Sequence, residues 1–266
     1  MQGGGNGKHT ILDRDPSLQC LFEPDGWTWC LTNPYTRQVL SDAVLELCEA
    51  FENPPFFHIG CDEAVNLAVC RDCRKSNIED LLVDHITHFN DLLKSRGART
   101  VMWHDMLIAG GKESPFCGYY ANQNKEDHYE NLCRRLPKDI IIADWQYGCP
   151  EEDAPFDKTW PTNAYFKKEG FDVVLCPWTN NKGVIAQAKY IKERSLFGML
   201  ETTWHTINDY PTFHSIFFVA ANGAWNANEE NILSYNMNLT FHLRQVCGDM
   251  GLTKYEDFGF EALQLR

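Results

Sequence analysis

The sequence predicts an α/β fold with a parallel sheet, on three observations. Short apolar runs alternate with amphipathic stretches, the runs are β-branched or aromatic, and polar and aromatic residues gather at the C-terminal ends of several runs. Apolar runs of that kind, bounded by turn residues, are what buried parallel strands look like. Strand–helix units repeated in one direction imply parallel pairing with right-handed crossovers. A doubly wound sheet and a (β/α)8 barrel both satisfy this. No glycine-rich phosphate loop follows the first run, which weakens the nucleotide-binding version. The residues at the run ends are Asp62 and Glu63, Trp103 to Asp105, Asp144 to Tyr147, Trp178 to Asn180, and Glu201 to His205. That distribution matches a TIM barrel with its site at the C-terminal face.

The first 36 or so residues, rich in Gly, Pro, Asp, Asn and Trp, read as loop. Residues 36–52 predict an amphipathic helix. The strand runs follow: PFFHIGC (55–61), RTVMWHDM (99–106), DIIIADWQYG (139–148), FDVVLCPWT (171–179) and LFGMLETTWHT (196–206). Between the first two, Ile78, Leu81, Leu82, His85, Ile86, Phe89 and Leu92 recur at i, i+3, i+4 spacing and predict a helix over 78–96. Residues 126–136, 182–194 and 209–227 show similar spacing. Five strands are countable where a barrel has eight. The chain therefore predicts one partial barrel over residues 1–266, whose open sheet edges another copy or segment would need to cover.

Composition narrows the function classes. The 266 residues carry 24 Lys+Arg against 37 Asp+Glu, a formal net charge of −13, which argues against nucleic acid or an anionic membrane as partner. No apolar run approaches the length of a transmembrane helix, and MQGGGNGKHT has no signal-peptide core. Eleven cysteines without an export signal predict reduced thiols and a cytoplasmic protein. No cofactor is predicted. Cys70 and Cys73 form a C-x-x-C, but no second pair stands at zinc-finger spacing, so they remain weak metal candidates.

The sharpest local signal is His58-Ile59-Gly60-Cys61-Asp62-Glu63. Neighbouring strand residues point to opposite faces, so two adjacent acids are poorly placed to flank a glycosidic bond at about 5–9 Å. At a strand end, where the chain turns, one acid can reach a leaving group while the other touches another part of the substrate. The alternative is that the pair caps the next helix and faces water. His58 reads either as a hydrogen-bond partner behind the pair or as a satisfied core histidine. Trp103, Trp145, Trp178 and Trp204 read either as sugar-stacking walls or as core.

HIGCDEA resembles the H-x-G-x-D-E motif of the family 20 β-N-acetylhexosaminidases. WHDM (103–106), DWQYG (144–148) and TTWH (202–205) resemble that family's strand 5, 6 and 8 ends, and GKHTILDRDPSLQCLFEPDGWTWCLTNP resembles its segment between strand 3 and helix 3. The resemblance spans most of residues 7–227 and implies strands 4 to 8 of the barrel, with strands 1 to 3 and the sugar-gripping arginine of strand 1 missing. It implies N-acetylhexosamine glycans as substrate, hydrolysed with retention of configuration. Glu63 is then the general acid/base, and Asp62 holds the 2-acetamido N–H while the acetamide oxygen attacks the anomeric carbon. It implies sugar contacts from His58, Trp103, Asp105, Asp144, Trp145, Trp178, Glu201 and Trp204. The family's tyrosine donor to the acetamide oxygen often lies near strand 7; LCPWTNN has none, and Tyr147 takes that role. Two other readings stand beside this one: a sugar-binding remnant without turnover, and a zinc protein built on Cys70 and Cys73.

Overall fold

The structure is a computed structural model, described here for residues 10–64, 66–121, 131–147, 160–178, 181–202 and 219–225. Its strands are β1 (Phe56–His58), β2 (Arg99–Trp103), β3 (Ile141–Asp144), β4 (Asp172–Leu175) and β5 (Gly198–Met199), in the order β1-β2-β3-β4-β5. Each lies within one of the five runs expected from sequence. β1 pairs in parallel with β2, β2 with β3, and β4 with β5. The chain divides into two compact units, residues 1–144 with 162–173, and residues 145–161 with 174–266.

In the first unit, α2 (Pro34–Ala50) starts where the Asn33 side chain accepts the Tyr35 N–H and Pro34 occupies the first turn. α3 (Ile78–Ser95) is capped by Asn77 and carries Glu79 and Asp80 against the positive end of its dipole. Its buried residues are Leu82, Ile86, Phe89, Asn90 and Leu93, so the expected apolar stripe faces the core. The sequence reading of the first 36 residues as loop is corrected. α1 (Thr10–Arg14) and a 3-10 helix (Pro16–Leu21) form there, the latter because the Asp15 side chain caps it and Pro16 pre-sets its first turn. Leu12, Leu21 and Phe22 bury together beneath them.

β3 is buried at every position, as a central parallel strand should be, whereas Phe56 of β1 is 48% exposed. Among the described residues β1 pairs only on its β2 side. α4 (Leu132–Arg135) falls at the end of the helix expected over 126–136. α5 (Pro161–Lys168) was not expected from sequence; it buries Thr162, Asn163 and Phe166. Two of these buried residues are polar, which erases the apolar stripe that periodicity detects.

In the second unit, α6 (Asn181–Arg194) matches the helix expected over 182–194. Val184 and Ile185 pack with Val219 and Ala220, and residues 219–225 are helical within the expected 209–227. No described helix is long and apolar enough to cross a membrane.

Candidate active site

The acidic pair lies where β1 stops being a strand. Regular pairing ends at His58, but ladder bonds continue from Ile59 N–H to the Val101 carbonyl (2.9 Å) and from Trp103 N–H to the Gly60 carbonyl (3.0 Å). The backbone then leaves the sheet through positive φ at Gly60 (76°), Cys61 (69°) and Glu63 (49°). Non-glycine residues adopt that region only when their surroundings enforce it, at a cost of about 1–3 kcal/mol each, and such strain clusters at functional sites. Strand alternation therefore does not govern Asp62 and Glu63.

Several contacts hold this turn. The Gly60 N–H donates to His58 Nδ1 at 3.0 Å, which fixes that ring nitrogen as an unprotonated acceptor. Burial lowers the His58 pKa to about 4, so the ring is neutral near pH 7. Its other nitrogen, Nε2, is buried with no hydrogen-bond partner, and the ring packs 4.3 Å from that of Trp103. His58 thus holds the backbone at the start of the turn that carries Asp62 and Glu63.

Asp105, in the short 3-10 turn after β2, is 0% exposed, and its Oδ2 accepts the Glu63 N–H at 2.9 Å. Its side chain thus holds the Glu63 backbone. Asp62 is 7% exposed and lies on the wall of a cavity of about 80 Å³ lined by Trp27, Trp29, Ile59, Met102 and Met106. Glu63 is half-buried and does not line that cavity. Burial, then the nearby charges of Asp62 and Asp105, raise the Glu63 pKa. That direction keeps a proton available for donation above the ordinary carboxylate range. Burial chiefly pushes the neighbouring Cys61 thiol up to about 11, which leaves it a poor nucleophile.

Asp144 is fully buried in a polar network of the same unit. Its Oδ2 accepts from the Thr162 hydroxyl at 2.7 Å, and its Oδ1 lies 3.4 Å from His104 Nε2, which itself sits 2.7 Å from the Tyr120 carbonyl. Sequence reading did not single out His104 or Thr162. The polar burial of α5 gives them away only once β3 and α5 are packed.

The second unit carries an aromatic group. The half-buried Tyr147 ring stands 5.5 Å from Trp145 and 5.2 Å from Trp178, and Trp145 itself is buried. Glu201 follows β5, between the Leu200 N–H, which bonds the Leu175 carbonyl, and the Thr202 N–H, which bonds the Pro177 carbonyl. Both Glu201 carboxyl oxygens are buried without a hydrogen-bond partner among the described residues, and burial raises its pKa to about 8. Trp204 lies outside the described residues.

The Glu201 shift fixes a sign for stability. A carboxyl protonated in the fold but ionised when unfolded binds more protons in the native state between about pH 4.5 and 8. Stability then falls as pH rises through that window. Glu201→Gln, which cannot ionise on unfolding, is expected to be more stable than wild type at pH 8, by on the order of 1–3 kcal/mol, and nearly equal to it at pH 4. Urea denaturation at the two pH values measures both.

Residues 7–205 match the model of the glycosyl hydrolase family 20 catalytic domain. No curated protein matches the chain. Among solved structures, the chain is similar to β-N-acetylhexosaminidase from Bacteroides fragilis NCTC 9343 (15% identity, TM-score 0.57), covering 89% of this chain and 51% of that one. It is similar to the exo-β-N-acetylglucosaminidase of Vibrio harveyi, solved in complex with N-acetylglucosamine (15% identity, TM-score 0.55), covering 97% of this chain and 42% of that one. It is also similar to Dispersin B (14% identity, TM-score 0.51), covering 83% of this chain and 68% of that one. The chain thus spans about half the length of several relatives it resembles in fold. A match over residues 7–205, with the acidic pair at the end of β1, establishes that the chain belongs to glycosyl hydrolase family 20, a family of glycosidases.

Proposed function

We propose that the chain removes terminal β-linked N-acetylhexosamine from glycans, with retention and with the substrate's own amide as nucleophile. β1 to β5 then correspond to strands 4 to 8 of an eight-stranded barrel. The observation that carries the reading is the turn at residues 60–63, which sets two acids side by side with Asp105 bonded to the Glu63 backbone. Two acids adjacent on one turn suit chemistry in which the sugar supplies the nucleophile.

Glu63 donates its proton to the leaving oxygen while the acetamide oxygen bonds to the anomeric carbon, and the glycosidic C–O bond breaks. Asp62 accepts the acetamide N–H and offsets the positive charge that grows on the amide. Water then adds to the anomeric carbon of the bound oxazoline as its bond to the acetamide oxygen breaks, which restores the acetamide, and Glu63 takes up the water's proton. Tyr147 donates to the acetamide oxygen; Trp103, Trp145, Trp178 and Trp204 pack on the sugar, and Glu201 bonds its hydroxyls, which satisfies oxygens otherwise unpartnered. The N-acetylglucosamine bound to the Vibrio harveyi relative supports this substrate class.

The test is hydrolysis of an aryl β-N-acetylglucosaminide against the matching aryl β-glucoside. The first is cleaved and the second is not. A second reading is sugar binding without turnover. It predicts N-acetylglucosamine binding with neither substrate cleaved.

A further inference from the structure

Three cysteines and a buried glutamate converge in the first unit, apart from the acidic pair. The segment Leu21–Cys30 folds back on itself. Phe22 bridges Trp29, Cys30 N–H bonds the Leu21 carbonyl at 2.9 Å, and Glu23 N–H bonds the Thr28 carbonyl at 2.7 Å. Glu23 and Cys30 therefore come from opposite arms of one small hairpin. Cys70 and Cys73 come from the loop after Glu63, where Cys73 N–H donates to Cys70 Sγ at 3.3 Å. The four ligand atoms, one carboxylate oxygen and three sulfurs, all lie within 4.8 Å of one another.

The spacing matches a tetrahedron. With a zinc–sulfur bond of about 2.3 Å, two sulfurs on a tetrahedral centre stand about 3.8 Å apart. Cys30 Sγ is 3.8 Å from Cys70 Sγ and 3.7 Å from Cys73 Sγ. A disulfide requires about 2.05 Å, and pairing any two of three thiols strands the third. Glu23 is 0% exposed; its Oε2 accepts the Cys70 N–H at 2.5 Å, its carboxylate faces the Cys73 thiol, and its Oε1 is buried with no well-aligned hydrogen-bond partner among the described residues. No described Lys or Arg pairs with it. A buried carboxylate without a cation is costly, and a divalent ion at the centre of this group removes that cost. The Thr32 hydroxyl lies 3.2 Å from Cys73 Sγ and 3.5 Å from Cys30 Sγ, placed to donate to thiolate sulfurs as ligand-orienting groups do.

We propose that Glu23, Cys30, Cys70 and Cys73 bind one zinc ion that staples the Leu21–Cys30 hairpin to the loop following the acidic pair. Three thiolates and one carboxylate complete four-coordination, so the site is structural rather than catalytic. A C-x-x-C alone gives two ligands; the fold supplies the others from 40 and 47 residues upstream of Cys70.

The test uses the full chain purified under reducing conditions. Elemental analysis is expected to find about one zinc per chain. Cobalt added to chelator-stripped protein is expected to give thiolate-to-cobalt charge-transfer absorption and tetrahedral d–d bands. Cys30→Ser and Cys73→Ser should lose the zinc, while Cys20→Ser, an exposed cysteine outside the cluster, should keep it. Cobalt titration of stripped wild-type chain needs no variant, so a variant that fails to fold does not blunt the test. Wild-type chain that holds no zinc and gives no cobalt bands overturns the proposal. So does a disulfide between two of the three cysteines, found by mass spectrometry, or full zinc content in Cys30→Ser. Zinc content in Glu63→Gln should be unchanged, which separates this site from the hydrolase reading.

Discussion

Glu63→Gln is expected to reduce kcat on an alkyl N-acetylglucosaminide by about 100- to 10,000-fold, the range for removing a positioned general acid. The amide of Gln cannot donate a proton to a leaving oxygen, yet it matches Glu in size. The turn itself should survive, because Asp105 holds the backbone N–H of residue 63 and not its side chain. Binding of N-acetylglucosamine, followed by calorimetry, should therefore change little. An aryl substrate with a good leaving group should lose less than the alkyl glycoside, since it needs less protonation. In the wild-type chain, the raised Glu63 pKa places the alkaline limb of kcat above the ordinary carboxylate range. Activity should fall as pH rises through that limb, because Glu63 is then ionised before it can act as acid.

Asp62→Asn is expected to reduce kcat by about 100-fold or more, the scale for losing one preorganised electrostatic contact to developing charge. Asn can still accept the acetamide N–H, but it carries no charge to offset the cation forming on the amide. The loss should appear in kcat more than in KM, since that charge exists in the transition state and not in the bound substrate. Asp62 lines the cavity and is 7% exposed, and Asn is close to isosteric with Asp, so the variant should fold. The same change removes a negative charge beside Glu63 and should shift the alkaline limb to lower pH. The pH profile of kcat for the two forms reads both effects.

All five strands were legible because buried parallel strands leave unbroken apolar runs, such as Ile140–Ala143 at 0–1% exposure. α3 was legible because one face is apolar from Leu82 to Leu93. α5 was not, because it buries Thr162 and Asn163. The acidic pair could be read as a motif, but strand alternation gave the wrong geometry for it. That alternation ends at His58, and the left-handed backbone at Cys61 and Glu63 leaves no mark in residue type. Asp105 could be read as a polar residue at a strand end; its bond to the Glu63 N–H could not, since it joins positions 42 residues apart. Glu23 and Cys30 escaped for the same reason. Nothing local to a hairpin announces the distant pair of cysteines it will meet.

In the proposed mechanism the substrate's amide forms the bond to the anomeric carbon. Substituting fluorines on the acetyl group tests it most directly, because each fluorine withdraws electrons from the amide oxygen and leaves the sugar and leaving group unchanged. Rates on the N-acetyl, N-fluoroacetyl, N-difluoroacetyl and N-trifluoroacetyl aryl glycosides are the measurement. The account predicts a steep, monotonic fall in kcat/KM along the series. A flat series would contradict it, since a protein carboxylate attacking the same carbon would not feel the acyl group.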